Sequence, residues 1–173
     1  RTWFYRINTK LRGLSLLSFI LVIGVAIYIP VIILLPLYYY FPDGYIIEIP
    51  DEQSFIFDAV LFVVVAPFVE TVVFQMAVIK IFRRLFGFND ICLCVLSAVI
   101  FGAVHSPFVT QCMAFLTGLL LAYSYIIYEK RAGSAIFMVM LLHMIETYPL
   151  YFSAKCNNRK FKESNTLIQT EHA

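Results

Sequence analysis

Charge is what this chain has least of. Of its 173 residues 14% are charged and 61% are hydrophobic, with a mean hydropathy of +0.84. Soluble domains carry about 25% charged residues, so an ordinary water-facing globule is excluded. The net charge of +2 says little about partners, but the placement of the Lys and Arg residues says more. They fall into clusters at Arg1 to Arg12, Lys80 to Arg84, Lys130–Arg131 and Lys155 to Lys162. No basic stripe lies outside these caps, which excludes a nucleic-acid surface. The chain also lacks internal repeats and low-complexity segments. Its first apolar run has no small-residue cleavage site and is too long for a cleavable signal, so it reads as a permanent span. No initiator Met is present, which is compatible with trimming before Arg1. The cysteines form no framework: Cys92 and Cys94 point to different helix faces, Cys112 heads an apolar run and Cys156 lies in the polar tail. They read as small buried hydrophobes.

What is abundant is apolar sequence in runs of membrane-crossing length, about 20 residues each. The expected fold is all-α, a polytopic transmembrane helix bundle with about five spans. Residues 1–152 form a single membrane-embedded domain, and 153–173 a polar, mobile C-terminal tail. The spans are expected at about Gly13 to Phe41, Ser54 to Ile79, Ile91 to Val109, Cys112 to Tyr128 and Ser134 to Phe152. Pro30 and Pro36 should kink or end the first. An acidic loop with a Pro-Asp-Gly turn signal follows, Pro42 to Gln53. Tyr38 to Phe41 reads as an interfacial aromatic belt. Basic clusters before the first span, between the second and third and between the fourth and fifth share one side. The positive-inside rule makes that side, and the N-terminus, cytoplasmic. The basic residues after the fifth span do not fit this scheme. The lipid bilayer is an expected partner and the oligomeric state is not indicated.

Three residues break the apolar runs. Glu70 stands ten positions before Lys80, and His143 ten after Gly133. A helical rise of about 1.5 Å per residue puts each about 15 Å inside its span. By the same measure His105 lies about 22 Å beyond Asp90. In a hydrocarbon core of about 30 Å all three belong to the middle region. Ionisable groups there are costly, and by default mark a functional site with a partner. A carboxylate among apolar neighbours can take a proton from water, with one imidazole orienting that water. The second imidazole, with Thr147 one turn beyond His143, can donate to the oxyanion of a tetrahedral intermediate. The same trio could instead hold zinc, with water in the open fourth position. Against both stands a structural reading, in which Glu70 and the histidines only tie helices together.

At these residues the chain resembles the CPBP group of intramembrane proteases, which includes the type II CAAX prenyl endopeptidases and the bacterial abortive-infection proteins. The family's first motif is Glu-Glu-x-x-x-Arg, and this chain has Glu70-Thr71-Val72-Val73-Phe74-Gln75. The second, Phe-x-x-x-His, is met by Phe101 to His105. The third, His-x-x-x-Asn or a similar polar residue, is met by His143 to Thr147. The intervening Leu116 to Tyr123 and Tyr128 to Ser134 are similar to the family's linker, and the likeness covers about 57–152. It implies an intramembrane endopeptidase of the glutamate type. Glu70, His105, His143 and Thr147 would carry the reaction on a membrane-proximal peptide or protein tail. The expected location is a bacterial cytoplasmic membrane. No cofactor is required, with zinc through Glu70, His105 and His143 as the alternative.

The departures are specific. The family's second Glu and its Arg, four apart on one helix face, are here Thr71 and Gln75, two uncharged residues. Joint loss keeps the site neutral, and the two replacements could hydrogen-bond in support of it. This degenerate first motif keeps a second function open: a non-catalytic family member acting as a membrane binding or immunity-type protein. A third, an ion or proton pathway, has no repeat to support it. Glu146 is either a support for His143 or a solvated interfacial residue. Asp58 reads as interfacial, and Gly118 with Ala122 as a helix-packing pair.

Overall fold

The computed structural model describes residues 2–40, 55–131 and 134–171, all in helices or their short connections. Six helices follow one another: α1 (Thr2–Gly13), α2 (Leu16–Tyr40), α3 (55–86), α4 (Asp90–Ala103), α5 (Phe108–Glu129) and α6 (Ala135–Glu171). No strand occurs among the described residues. Helices α2, α3, α5 and α6 are long and apolar enough to cross a membrane, whereas α4, also apolar, has 14 residues. The fold is an all-α bundle, and the protein is an integral membrane protein.

Helix α5 is the axis of the bundle. It packs against all five other helices and is the most buried of the four long ones, α3 the least. Leu93 of α4, Leu121 and Tyr125 of α5 and Val139 and Leu142 of α6 are buried around it, with Phe19, Ile23 and Ile27 of α2. Gly118 makes the α4–α5 contact possible. A Cβ there would meet Cδ1 of Phe101 at 2.9 Å and Cα of Ala98 at 3.2 Å. The expected packing role of Gly118 follows from that approach. Between α3 and α4, Gly87 takes the left-handed conformation (φ 64°) that ends a helix, and Asn89 caps the next by accepting from the Cys92 N–H at 3.0 Å.

Proline shapes the helices without ending them. Helix α2 continues through Pro30 and Pro36 to Tyr40, so neither terminates it. In α6, Pro149 cannot return an N–H to the Ile145 carbonyl four residues earlier. The hydroxyl of Tyr28, from α2, donates to that carbonyl at 2.5 Å. A membrane interior offers no water to a freed carbonyl, so a neighbouring helix must supply the donor. In α3, Pro67 likewise has no N–H for Val63, and Leu61–Val65 just before it is wound as wider π-helical turns. A second π-helical stretch, Thr71–Ala77, follows Glu70. There the Ser97 hydroxyl of α4 donates to the Phe74 carbonyl at 2.7 Å.

Several expectations meet the structure differently. The basic N-terminal cluster is itself a helix, α1, tied to α5 by a hydrogen bond from Tyr123 to Asn8. The third apolar segment stops being helical at Ala103, before His105, and Thr110–Gln111 begins α5 instead of linking two spans. The polar tail continues α6 as helix to Glu171. The acidic loop at 42–53, Phe41 of the aromatic belt and Ala132–Gly133 of the linker lie outside the described residues, as do the side chains of Tyr38 to Tyr40 and Cys156.

Candidate active site

Four segments enclose a cavity of about 370 Å³. Phe62, Ala66, Pro67 and Glu70 face it from α3, and Phe101, His105 and Ser106 from the end of α4 and the turn beyond. Thr110, Met113 and Ala114 face it from α5, and His143, Glu146, Thr147 and Leu150 from α6. Glu70, His105, His143, Glu146 and Thr147, singled out in sequence, therefore share one space. Thr71 and Gln75 do not line it.

The central contact joins α3 to α6. Oε2 of Glu70 lies 3.3 Å from Nε2 of His143, whose side chain is 3% exposed against 30% for Glu70. The imidazole is thus held inside the wall while the carboxylate reaches into the cavity. The pair stands at ion-pair distance, and a proton on Nε2 would make His143 the donor. Its Nδ1 has no protein hydrogen-bond partner.

His105 is positioned by its own motif. Its Nδ1 lies 2.6 Å from the carbonyl of Phe101, four residues earlier. A carbonyl only accepts, so Nδ1 carries a proton, and in the tautomer with that single proton Nε2 is an acceptor. The Phe101 ring fixes both imidazoles edge-on, with centroids 4.7 Å from His105 and 5.6 Å from His143. This is a physical reason for a Phe four residues before a His. The carbonyl sets the tautomer and the ring sets the plane. Because α4 has ended, His105 lies in a turn beyond the helix and lines the cavity from there.

Thr147 and Glu146 are placed as follows. The Thr147 hydroxyl donates to the His143 carbonyl at 2.9 Å, one turn back along its own helix. It thereby offers the cavity oxygen lone pairs, and donates there only after rotating. Glu146 is buried, and Thr117 of α5, itself buried, donates to its Oε1 at 2.8 Å. It is not at a solvated interface.

Thr71 and Gln75 are both fully buried, yet Oγ1 of Thr71 and both amide atoms of Gln75 lack a protein hydrogen-bond partner. The expected hydrogen-bonding support of the site is not made. Both sit in the π-helical stretch, on the side of α3 turned toward the bundle interior. Unpaired buried polar groups of this kind cost about 1–3 kcal/mol each.

Asp58 is the residue the sequence reading misplaced. It is fully buried and pairs with Lys155 of α6 at 3.0 Å. An Asp near the start of an apolar run looks interfacial, and its partner is 97 positions away. The only available signal was a lysine at a matching height in the last helix. For metal binding, no group of three His, Cys, Asp or Glu side chains among the described residues is arranged to hold an ion.

No curated protein and no solved structure matches the chain. The family model described as type II CAAX prenyl endopeptidase Rce1-like matches residues 52–148, more than half of the chain and the stretch that holds Glu70, His105 and His143. With the three motifs of that stretch meeting around one cavity, the chain belongs to the Rce1-like family of type II CAAX prenyl endopeptidases.

Proposed function

We propose that the protein is an intramembrane endopeptidase that hydrolyses a peptide bond by water activated between Glu70 and His105. The carrying observation is the 3.3 Å contact of Glu70 with His143 at a cavity that His105 also lines. Substrate is a peptide or protein tail that enters the cavity from the membrane. The family's printed description makes a prenylated C-terminal CAAX tail the first substrate to test.

Each residue has a distinct task. His143 donates to one Glu70 oxygen and holds the carboxylate toward the cavity. The other carboxylate oxygen removes a proton from water, and Nε2 of His105, an acceptor in its neutral tautomer, takes a second hydrogen bond from the same water. The hydroxide adds to the scissile carbonyl carbon. The proton held on Glu70 then passes to the leaving amine as the C–N bond breaks, so water is divided between the two products. Thr117 keeps Glu146 against the cavity wall, where its carboxyl supports the polar side of the site. Thr147, after rotation, supplies a donor to the oxyanion.

The test is cleavage of a farnesylated CAAX peptide, and of the same peptide unprenylated, by the purified protein in lipid nanodiscs. Glu70→Gln and His105→Ala should each lower the rate by about 10²–10⁴-fold with the helical signal intact. Wild-type rates in both variants would overturn the assignment. Activity that disappears with a chelator and returns with zinc would replace this mechanism by a metal-dependent one. The neutral Thr71 and Gln75 favour a second reading, a non-catalytic binding protein. Under it neither peptide is cut by the wild type, and Glu70→Gln leaves peptide binding unchanged.

A further inference from the structure

Helices α3 and α6 run antiparallel, and their contacts repeat at one interval. Asp58 pairs with Lys155 at 3.0 Å, Phe62 stacks on Tyr151 with centroids 6.1 Å apart, and Glu70 meets His143 at 3.3 Å. The first step moves four residues forward along α3 and four back along α6, and the second moves eight along each. The level between, Ala66 and Thr147, holds two small side chains that both face the cavity. The seam is therefore a ladder with a gap where substrate would lie, clasped on one side by the catalytic pair and on the other by Phe62–Tyr151 and Asp58–Lys155.

Two features make this register vulnerable. Helix α3 is the least buried of the four long helices, and two stretches of it are wound in wide turns. Apolar packing against lipid does not choose between registers, because lipid tails are as apolar as the side chains they meet. A slip of one residue would move Glu70 by about 1.5 Å along the helix axis and turn it by about 100°, away from His143. An ion pair between a fully buried Asp and a Lys 19% exposed does choose. Separating it strands a charge away from water, and fixing register is the best-attested use of such buried pairs.

We propose that Asp58 and Lys155 are positioning residues: their clasp sets the register of α3 on α6 and thereby the Glu70–His143 geometry. The clasp stays closed during turnover, because it lies beyond the Phe62–Tyr151 stack and opening it would strand Asp58. The proposal rests on the peptidase reading for its kinetic arm only.

The test uses the full chain in nanodiscs with two readouts, cleavage of the farnesylated peptide and the side-chain 15N shifts of His143. The Asp58→Asn/Lys155→Gln double variant removes both charges and strands neither. It should lower kcat by about tenfold with KM within twofold, since small misplacements are costly in rate, and it should move the His143 shifts as Glu70→Gln does. The charge-swapped variant, Asp58→Lys/Lys155→Asp, should restore both. Wild-type kcat and unmoved shifts in a folded neutral variant would overturn the proposal. If that variant does not fold, Asp58→Glu decides. It keeps the charge but lengthens the clasp, and unchanged kcat and shifts there would equally overturn it. If the wild type cleaves nothing, the peptidase reading has failed and the His143 shifts alone judge the clasp.

Discussion

The two ends of the bundle are held together by different means. Near the α3–α4 turn, five helices close on a continuous apolar core that includes Phe19, Ile79, Leu93, Leu121 and Leu142. That end is rimmed by ion pairs of Arg83 with Glu129 and Asp90, and of Lys130 with Asp90. At the opposite end the buried apolar cluster shrinks to Val63 and Tyr151, with Ala59 and Met144 against it. There α3 and α6 part around the cavity, and polar contacts replace packing: Tyr28 on the Ile145 carbonyl, Thr117 on Glu146, Asp58 on Lys155. One end is a scaffold that tolerates small errors, since many contacts share the load. The other depends on a few directional contacts, each of which sets the position of a reactive group.

The comparison can be broken at the point where the two ends meet. Gly118→Ala would drive a methyl group onto Phe101 and the backbone of Ala98. Overpacking of this kind costs about 1–3 kcal/mol. Because the Phe101 ring braces both His105 and His143, peptide cleavage should fall more steeply than thermal stability. Equal loss of both would mean that the scaffold does not orient the imidazoles. A smaller effect is expected from Tyr28→Phe, which leaves the Ile145 carbonyl without its donor at a cost of about 1–3 kcal/mol. Pro149→Ala returns an N–H to that carbonyl, so the cost of Tyr28→Phe should shrink in its background. Additive unfolding energies in that cycle would break the link between the proline and the tyrosine. The smallest effect should come from the rim. Arg83 is 33% exposed beside Asp90 and Glu129, and exposed pairs contribute about 0–1 kcal/mol. Arg83→Ala should leave cleavage unchanged and lower the melting temperature only slightly, and a large loss of cleavage would show that the rim couples to the site.

The apolar runs made the helices legible, because a run of spanning length has few other solutions. Glu70, His105 and His143 were legible because ionisable groups inside such runs are costly and their depths agreed. Their meeting around one cavity follows from those depths and from the family's order of motifs. What the sequence hid was local termination and long-range pairing. The break itself was on show in Pro107, since helices usually end at or before the residue preceding a proline, but the apolar run continues to Val109, so His105 read as part of a helix that in fact ends at Ala103. The partner of Asp58 is set by the register of two helices far apart in the chain, which no local pattern encodes. The tail reads as polar and gave no sign of helix, and its helix is propagated from the apolar part of α6, where the nucleation cost has already been met.

The brevity of α4 has a consequence for where the reaction occurs. Its 14 residues rise about 21 Å, against a hydrocarbon thickness of about 30 Å. Its start is tied to the charged rim through Asp90, so the whole shortfall, roughly 9 Å, falls at the His105 end. Non-helical backbone at membrane depth is tolerated where it lines a cavity, and the turn that follows α4 does so. His105 and Ser106 are thereby free of the helix ladder and stand on the wall of the cavity that Glu70 faces from the other side. On the peptidase reading, the shortness of α4 is what leaves room beside Glu70 for water and a scissile bond to meet.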